Sequence, residues 1–282
     1  MSCAATSALS AGKAAAPARR CRSEDLMKIT RNMERWSPLV VLAATLVLWQ
    51  VIVAGFDIPE FIFPSPWQIG QQFVEFSGPL LDAAWKTFWV TMLGFGIAIV
   101  VGVLLGFLIG SSRLAYTALY PLMIAFNAVP KAAVVPILVV WFGIGVGPGV
   151  LTAFLISFFP ITVNIATGLA TLEPELEDVL RVLGAKRWDV LIKVGLPRSM
   201  PYFYGSLKIA ITLAFVGTVL AEMTAGDSGI GYLMQTAGSQ QRMALAFAGL
   251  VTIGAMAMAM YELFSWIEKR TTGWAHRGSQ AH

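Results

Sequence analysis

The sequence predicts an all-α polytopic membrane protein with six transmembrane helices, and three observations carry that prediction. Of the 282 residues 57% are hydrophobic and 13% are charged, about half the ~25% charge of ordinary soluble domains. Apolar runs recur at the ~20 residues a helix needs to cross a ~30 Å hydrocarbon core, without the two-residue alternation of a β-barrel. The basic residues also fall on one side. The stretches before Pro38, around Arg113, across 171–208 and after Ile267 hold all of them except Lys86, Lys131 and Arg242. That bias places both termini in the cytoplasm. It also accounts for the net charge of +4 without nucleic acid as a partner.

Residues 1–37 are basic, rich in Ala and Ser and without an apolar run, which predicts a disordered cytoplasmic tail. The transmembrane domain is expected over 38–274, with 275–282 as a C-terminal cytoplasmic tail. The first span, 38–55, is longer than a typical signal-peptide core and no small-residue cleavage site follows it; Met27 is an alternative start. In the link that follows, Ser65 can cap a helix opening at Pro66. Ile69, Phe73 and Phe76 give that helix an apolar stripe, Gly78-Pro79 end it, and Leu80, Leu81 and Trp85 begin another. Two short helices on the outer membrane surface are expected here.

The second span, 88–110, carries Gly94, Ala98, Gly102, Gly106 and Gly110 at four-residue spacing. Small residues along one side let another helix approach closely. That helix belongs to this chain or to a second copy. The third span, 115–142, holds Lys131 between Pro130 and Pro136. A lysine at mid-bilayer costs on the order of 3 kcal/mol and faces protein or water, while the prolines free carbonyls that need a polar lining. Asn127 and Lys131 therefore either line a translocation path, with Lys131 favouring anions, or form a structural pair. The remaining spans are 149–169, 201–223 and 243–267. Glu222, at the end of the fifth, lines an outer gate of the path or sits among headgroups; Glu262 reads as structural.

Between the fourth and fifth spans lies a polar island, 171–199. Glu173-Pro174 open a helix whose first turn holds Glu175, Glu177 and Asp178, where the helix dipole favours negative charge. Leu172, Leu176, Val179, Leu180 and Leu183 form one apolar face, and Gly184 ends or turns the helix. Such a face lies on lipid or enters a groove on another protein. Its acidic start is repelled by anionic cytoplasmic lipid, which favours a protein groove.

Chemistry in the chain itself is not indicated. Cys3 and Cys21 lie in the N-terminal tail and His276 and His282 at the C-terminus, so no disulfide framework, zinc site or catalytic set is expected. A Gly-x-x-x-x-Gly-Lys-Ser/Thr loop is missing, and the glycines of "FGIGVGPG" fall in a turn between membrane helices.

The island resembles the cytoplasmic motif of ABC importer permeases, written EAA, three residues, Gly, nine residues, Ile, one residue, Leu-Pro. Here it reads Asp178-Val179-Leu180, Gly184, Val194, Leu196-Pro197 at the same spacing. "FPSPWQI", "VPKAAVVPILVVWFGIG" and "LAEMTAGDSGIGYLM" resemble elements of the nitrate, sulfonate and taurine group. The resemblance covers about 38–274 and implies a type I ABC importer permease fold in the bacterial inner membrane. It implies a second permease copy, two ABC ATPase subunits that hold ATP and Mg²⁺, and an extracytoplasmic solute-binding protein. Glu177, Asp178, Val179, Leu180, Leu183, Gly184 and Ala185 would then couple to the ATPase, and this chain would bind no cofactor. An ion-coupled secondary transporter and a non-transporting scaffold are the alternatives from the residues alone.

Overall fold

The computed structural model describes residues 16–170, 182, 184 and 187–272, and every regular element among them is helical. The chain divides into two compact units, Met1–Ile58 and Pro59–His282. The first unit holds helix α1, Ala16–Gly55, whose Trp36–Gly55 portion is long and apolar enough to cross a membrane. The helix thus begins inside the stretch expected to be disordered. Residues 16–37 contain no glycine and are rich in Arg, with Ala, Glu and Met beside it, which favour helix even without a core to join.

In the second unit, α2 spans Pro66–Glu75 and starts with a full capping box. Gln68 N donates to Ser65 Oγ at 3.3 Å, and Ser65 N donates to Gln68 Oε1 at 2.8 Å. Ile69 on its inner face is buried. The second surface helix expected from Leu80, Leu81 and Trp85 is instead the opening of α3, Ser77–Gly110. Pro79 falls in the first turn of α3, where its missing N–H costs no intrahelical bond, and Leu80 and Ala83 are buried there.

The third span is broken. Helix α4, Arg113–Ala128, gives way to a 3₁₀ turn, Lys131–Val134, and then to α5, Val135–Phe142; the two halves are bent by 72°. Pro130 forces the residue before it out of helical geometry, and Val129 is accordingly extended, with φ −66° and ψ 126°. Helix α6 covers Val146–Ala170. A single turn, Arg187–Val190, runs through a π-helical turn, Leu191–Gly195, into α7, Leu196–Ala225. A short helix the sequence reading did not anticipate, α8, Gly229–Ser239, precedes α9, Met243–Thr271. Counting the bent pair as one, six segments among the described residues are long and apolar enough to cross a membrane.

The core lies where α3, α6 and α7 meet, around Phe95, Phe158, Ile161, Ile211 and Phe215. The small-residue stripe of α3 lies against α6 of the same chain. A Cβ added at Gly94 would meet Val150 O at 2.5 Å; at Gly102, Gly106 and Gly110 it would meet the Cβ atoms of Ile161, Ile165 and Leu169 at 2.9, 2.8 and 2.8 Å. Ala98 has no exposed surface. On the α7 side, Gly217 comes equally close: its Cβ would meet Thr152 O at 2.9 Å. Helix α6 is thereby held between the glycine stripe of α3 and Gly217 of α7, and van der Waals contact holds the three together. The buried hydroxyls of Thr152, Ser157 and Thr162 donate to carbonyls four residues back, so none is left unbonded in the apolar interior. Lys208 of α7 pairs with Glu268 of α9 at 2.7 Å, both side chains largely buried.

Candidate functional site

The break in the third span leaves the last carbonyls of α4 without helical partners. Lys131 Nζ supplies the missing donor, reaching Asn127 O at 2.8 Å and Asn127 Oδ1 at 2.9 Å. A cation at a helix C-terminus is also favoured by the helix dipole. Asn127 and Lys131, both singled out in the sequence, are thus brought together across the bend. The two helices that meet there are open in this chain: α4 has no buried residue, and Leu122 and Phe126 of α4 and Ile137 and Trp141 of α5 are exposed.

Glu222 is placed elsewhere. It lies near the end of α7, only 7% exposed, and is hydrogen-bonded to neither Asn127 nor Lys131. Thr87 Oγ1 of α3 lies 2.9 Å from each carboxylate oxygen and shares its hydroxyl proton between them. Gly231 N donates to Glu222 Oε2 at 2.9 Å, while Ile230 N donates to Thr87 Oγ1 at 2.8 Å. The N-terminus of α8 is therefore folded onto a carboxylate, the pairing its free N–H groups and dipole prefer. Glycine is what permits so close a fold. Gly229 has φ +91° and a side chain there would run into the Glu222 carboxylate; at Gly231 a Cβ would come within 2.6 Å of Val219 O. Next to this clamp, the hydroxyls of Thr91 and Thr218 are hydrogen-bonded at 2.9 Å. Thr87 and α8 were missed by sequence reasoning. The available signal was a membrane carboxylate followed closely by Gly229-x-Gly231.

Of the coupling residues, Glu177, Asp178, Val179, Leu180, Leu183 and Ala185 lie outside the described residues, as does the C-terminal stretch 275–282. Gly184 is described. Its φ of +88° is a left-handed turn open to glycine, and nothing lies within 4 Å of where a Cβ would sit. The Leu196-Pro197 pair opens α7, with proline in its first turn.

Comparison with known proteins covers the same regions. The family pattern described as "Binding-protein-dependent transport system inner membrane component" matches residues 98–273. The chain is 30% identical over 237 residues to a probable ABC transporter permease protein of Haemophilus influenzae, covering 83% of this chain and 95% of that one. It is 32% identical over 251 residues to the riboflavin transport system permease protein of Chloroflexus aurantiacus, covering 86% and 94%. Permeases named for aliphatic sulfonates and for nitrate match at 27% and 29% identity. Among solved structures, the inward-facing MetNI methionine ABC transporter aligns with a TM-score of 0.61 at 18% identity, over 70% of this chain and 98% of that chain. At that identity the likeness shows the fold alone.

Proposed function

The chain belongs to the family of binding-protein-dependent transport system inner membrane components and is an ABC transporter permease, and from that premise we propose how it imports its solute. Both termini face the cytoplasm of a bacterial cell. The helix across 175–184 docks in a groove on a separate ABC ATPase subunit. ATP and Mg²⁺ are held by that subunit, and this chain binds no cofactor. A second copy of the chain completes the pore as a homodimer, and a solute-binding protein on the outer face delivers a small solute. Closure of the ATPase pair on ATP moves the helix across 175–184. That motion passes to α6 and α7, whose glycine-lined contacts make them move as packed rods.

The observation that carries this reading is the spacing of Asp178, Gly184 and Leu196-Pro197, which falls inside the matched residues 98–273. The left-handed turn at Gly184 supports it, since such a turn ends one helix and redirects the chain toward α7. Asn127 and Lys131 face the path at the break of the third span, and the ammonium favours anions. Glu222 stands at the outer end of the path, where it clamps α8 to α3. Family membership disfavours both an ion-coupled secondary transporter and a scaffold.

Charge reversal at Asp178, or Gly184→Pro, tests the coupling. Each is expected to abolish solute uptake while the chain still inserts in the membrane and assembles. Normal solute-stimulated ATP hydrolysis in both variants would overturn the docking role.

A further inference from the structure

Two cavities lie side by side at the end of the unit where α3 begins and α7 turns into α8. They share Lys86, Asp227 and Ser228. The first, about 280 Å³, carries Asp82, Tyr232, Thr236 and Gln240 beside the apolar Ala83, Leu233, Ala237 and Leu245. The second, about 350 Å³, has Trp85, Trp89, Leu93 and Val146 on its walls and reaches Glu222, whose carboxylate is bonded to Thr87 and Gly231. A charged seam opening onto a tryptophan-walled apolar chamber has the form of an amphiphile, not of a small polar solute.

The seam also has a definite charge pattern. Lys86 Nζ sits 3.1 Å from Asp82 Oδ2, with both side chains at least half exposed. Asp227 lies across the seam and accepts from Ser228 Oγ at 3.0 Å. At the exposed seam one cation stands among two carboxylates; the third carboxylate of the paired cavity, Glu222, is buried and already bonded to Thr87 and Gly231. A headgroup that matches it carries an anionic oxygen for Lys86 and a cation with N–H donors for Asp82 and Asp227. A primary ammonium has three such donors, and hydrogen bonds between charged partners are the stronger kind. A choline group carries its charge without an N–H, and a glycerol headgroup carries no cation. The apolar chamber opens along Trp85, Trp89 and Leu93, which are spaced by four on α3 and about half exposed. Tryptophans so placed belong at a membrane–water interface.

We propose that this paired cavity binds a phospholipid with a zwitterionic primary-amine headgroup, phosphatidylethanolamine. Its phosphate sits on Lys86, its ammonium lies between Asp82 and Asp227, and one acyl chain runs over Trp89 and Leu93. The site is separate from the break at Lys131 and does not depend on the proposed ATPase docking.

The assembled transporter, exchanged into nanodiscs holding equal amounts of dioleoyl-phosphatidylethanolamine, -phosphatidylglycerol and -phosphatidylcholine, supplies the test. Lipid retained on the folded complex is read by native mass spectrometry. Phosphatidylethanolamine is expected to be retained over each of the others by about threefold, the scale of exposed ion pairs. Lys86→Gln and Asp227→Asn should each erase the preference, and Lys86→Arg should keep it. Trp89→Ala should lower retention of all three lipids. Equal retention of the three lipids, or a preference unchanged in both Lys86→Gln and Asp227→Asn, overturns the proposal. Only assembled complexes are read, so a variant that fails to fold cannot mimic either result.

Discussion

Replacing Gly94 by alanine probes the contact between α3 and α6 at its tightest point. The new methyl would lie 2.5 Å from Val150 O and 2.6 Å from Ala153 Cβ. Non-bonded heavy atoms rest at ~3.5–4.0 Å, so the two helices must part by about 1 Å. The first of those atoms is backbone, which cannot turn away as a flexible side chain would. Overpacking of this kind costs about 1–3 kcal/mol, while alanine regains ~1 kcal/mol of helix propensity over glycine. A net loss of about 1 kcal/mol follows, taking the middle of the overpacking range. Gly96 is the internal control: it lies on the same helix with nothing within 4 Å of its Cβ. Gly96→Ala therefore keeps the propensity gain and stabilises by up to ~1 kcal/mol. Thermal unfolding of the two purified variants in one detergent reads the difference. At roughly 2–4 °C per kcal/mol for a chain of this length, Gly94→Ala should melt about 4–8 °C below Gly96→Ala. Equal midpoints would refute the argument that steric closeness, and not helix content, sets the cost.

Other outcomes follow from the two polar features. Glu222→Ala removes the acceptor for the buried N–H of Gly231 and the hydroxyl of Thr87, at about 1–3 kcal/mol for each group left unsatisfied. Hydrogen exchange across 229–239 should then accelerate by at least about tenfold, and unchanged exchange would show that the carboxylate does not hold α8. Lys131→Ala should raise KM for an anionic solute by about tenfold, the scale of one hydrogen bond to a charged group. Uptake equal to that of the parent would remove Lys131 from the path.

Much of the fold is legible in the sequence because bilayer thickness leaves few choices for an apolar run. The stripe from Gly94 to Gly110 declares a contact face by composition alone, but not its partner; that required the placement of α6. The bend at 129–134 is announced by Pro130 and Pro136. That Lys131 turns back across the bend to cap α4 through Asn127 is not, because capping depends on the angle at which the two halves meet. Glu222 shows the limit most clearly. A carboxylate near a span end reads as a group among headgroups, yet it is buried by Thr87, 135 residues earlier in the chain. Long-range partners of that kind leave no periodicity to read. Gly78-Pro79 misled for a local reason: the pair resembles a helix stop, whereas proline in a first turn is a start.

The central claim is that the helix across 175–184 is seated in a nucleotide-hydrolysing partner. A photo-crosslinking residue at Val179, and separately at Leu183, in membranes carrying the whole transporter addresses it directly. The account predicts an adduct with the ATPase subunit at both positions. Adducts with phospholipid alone would contradict it.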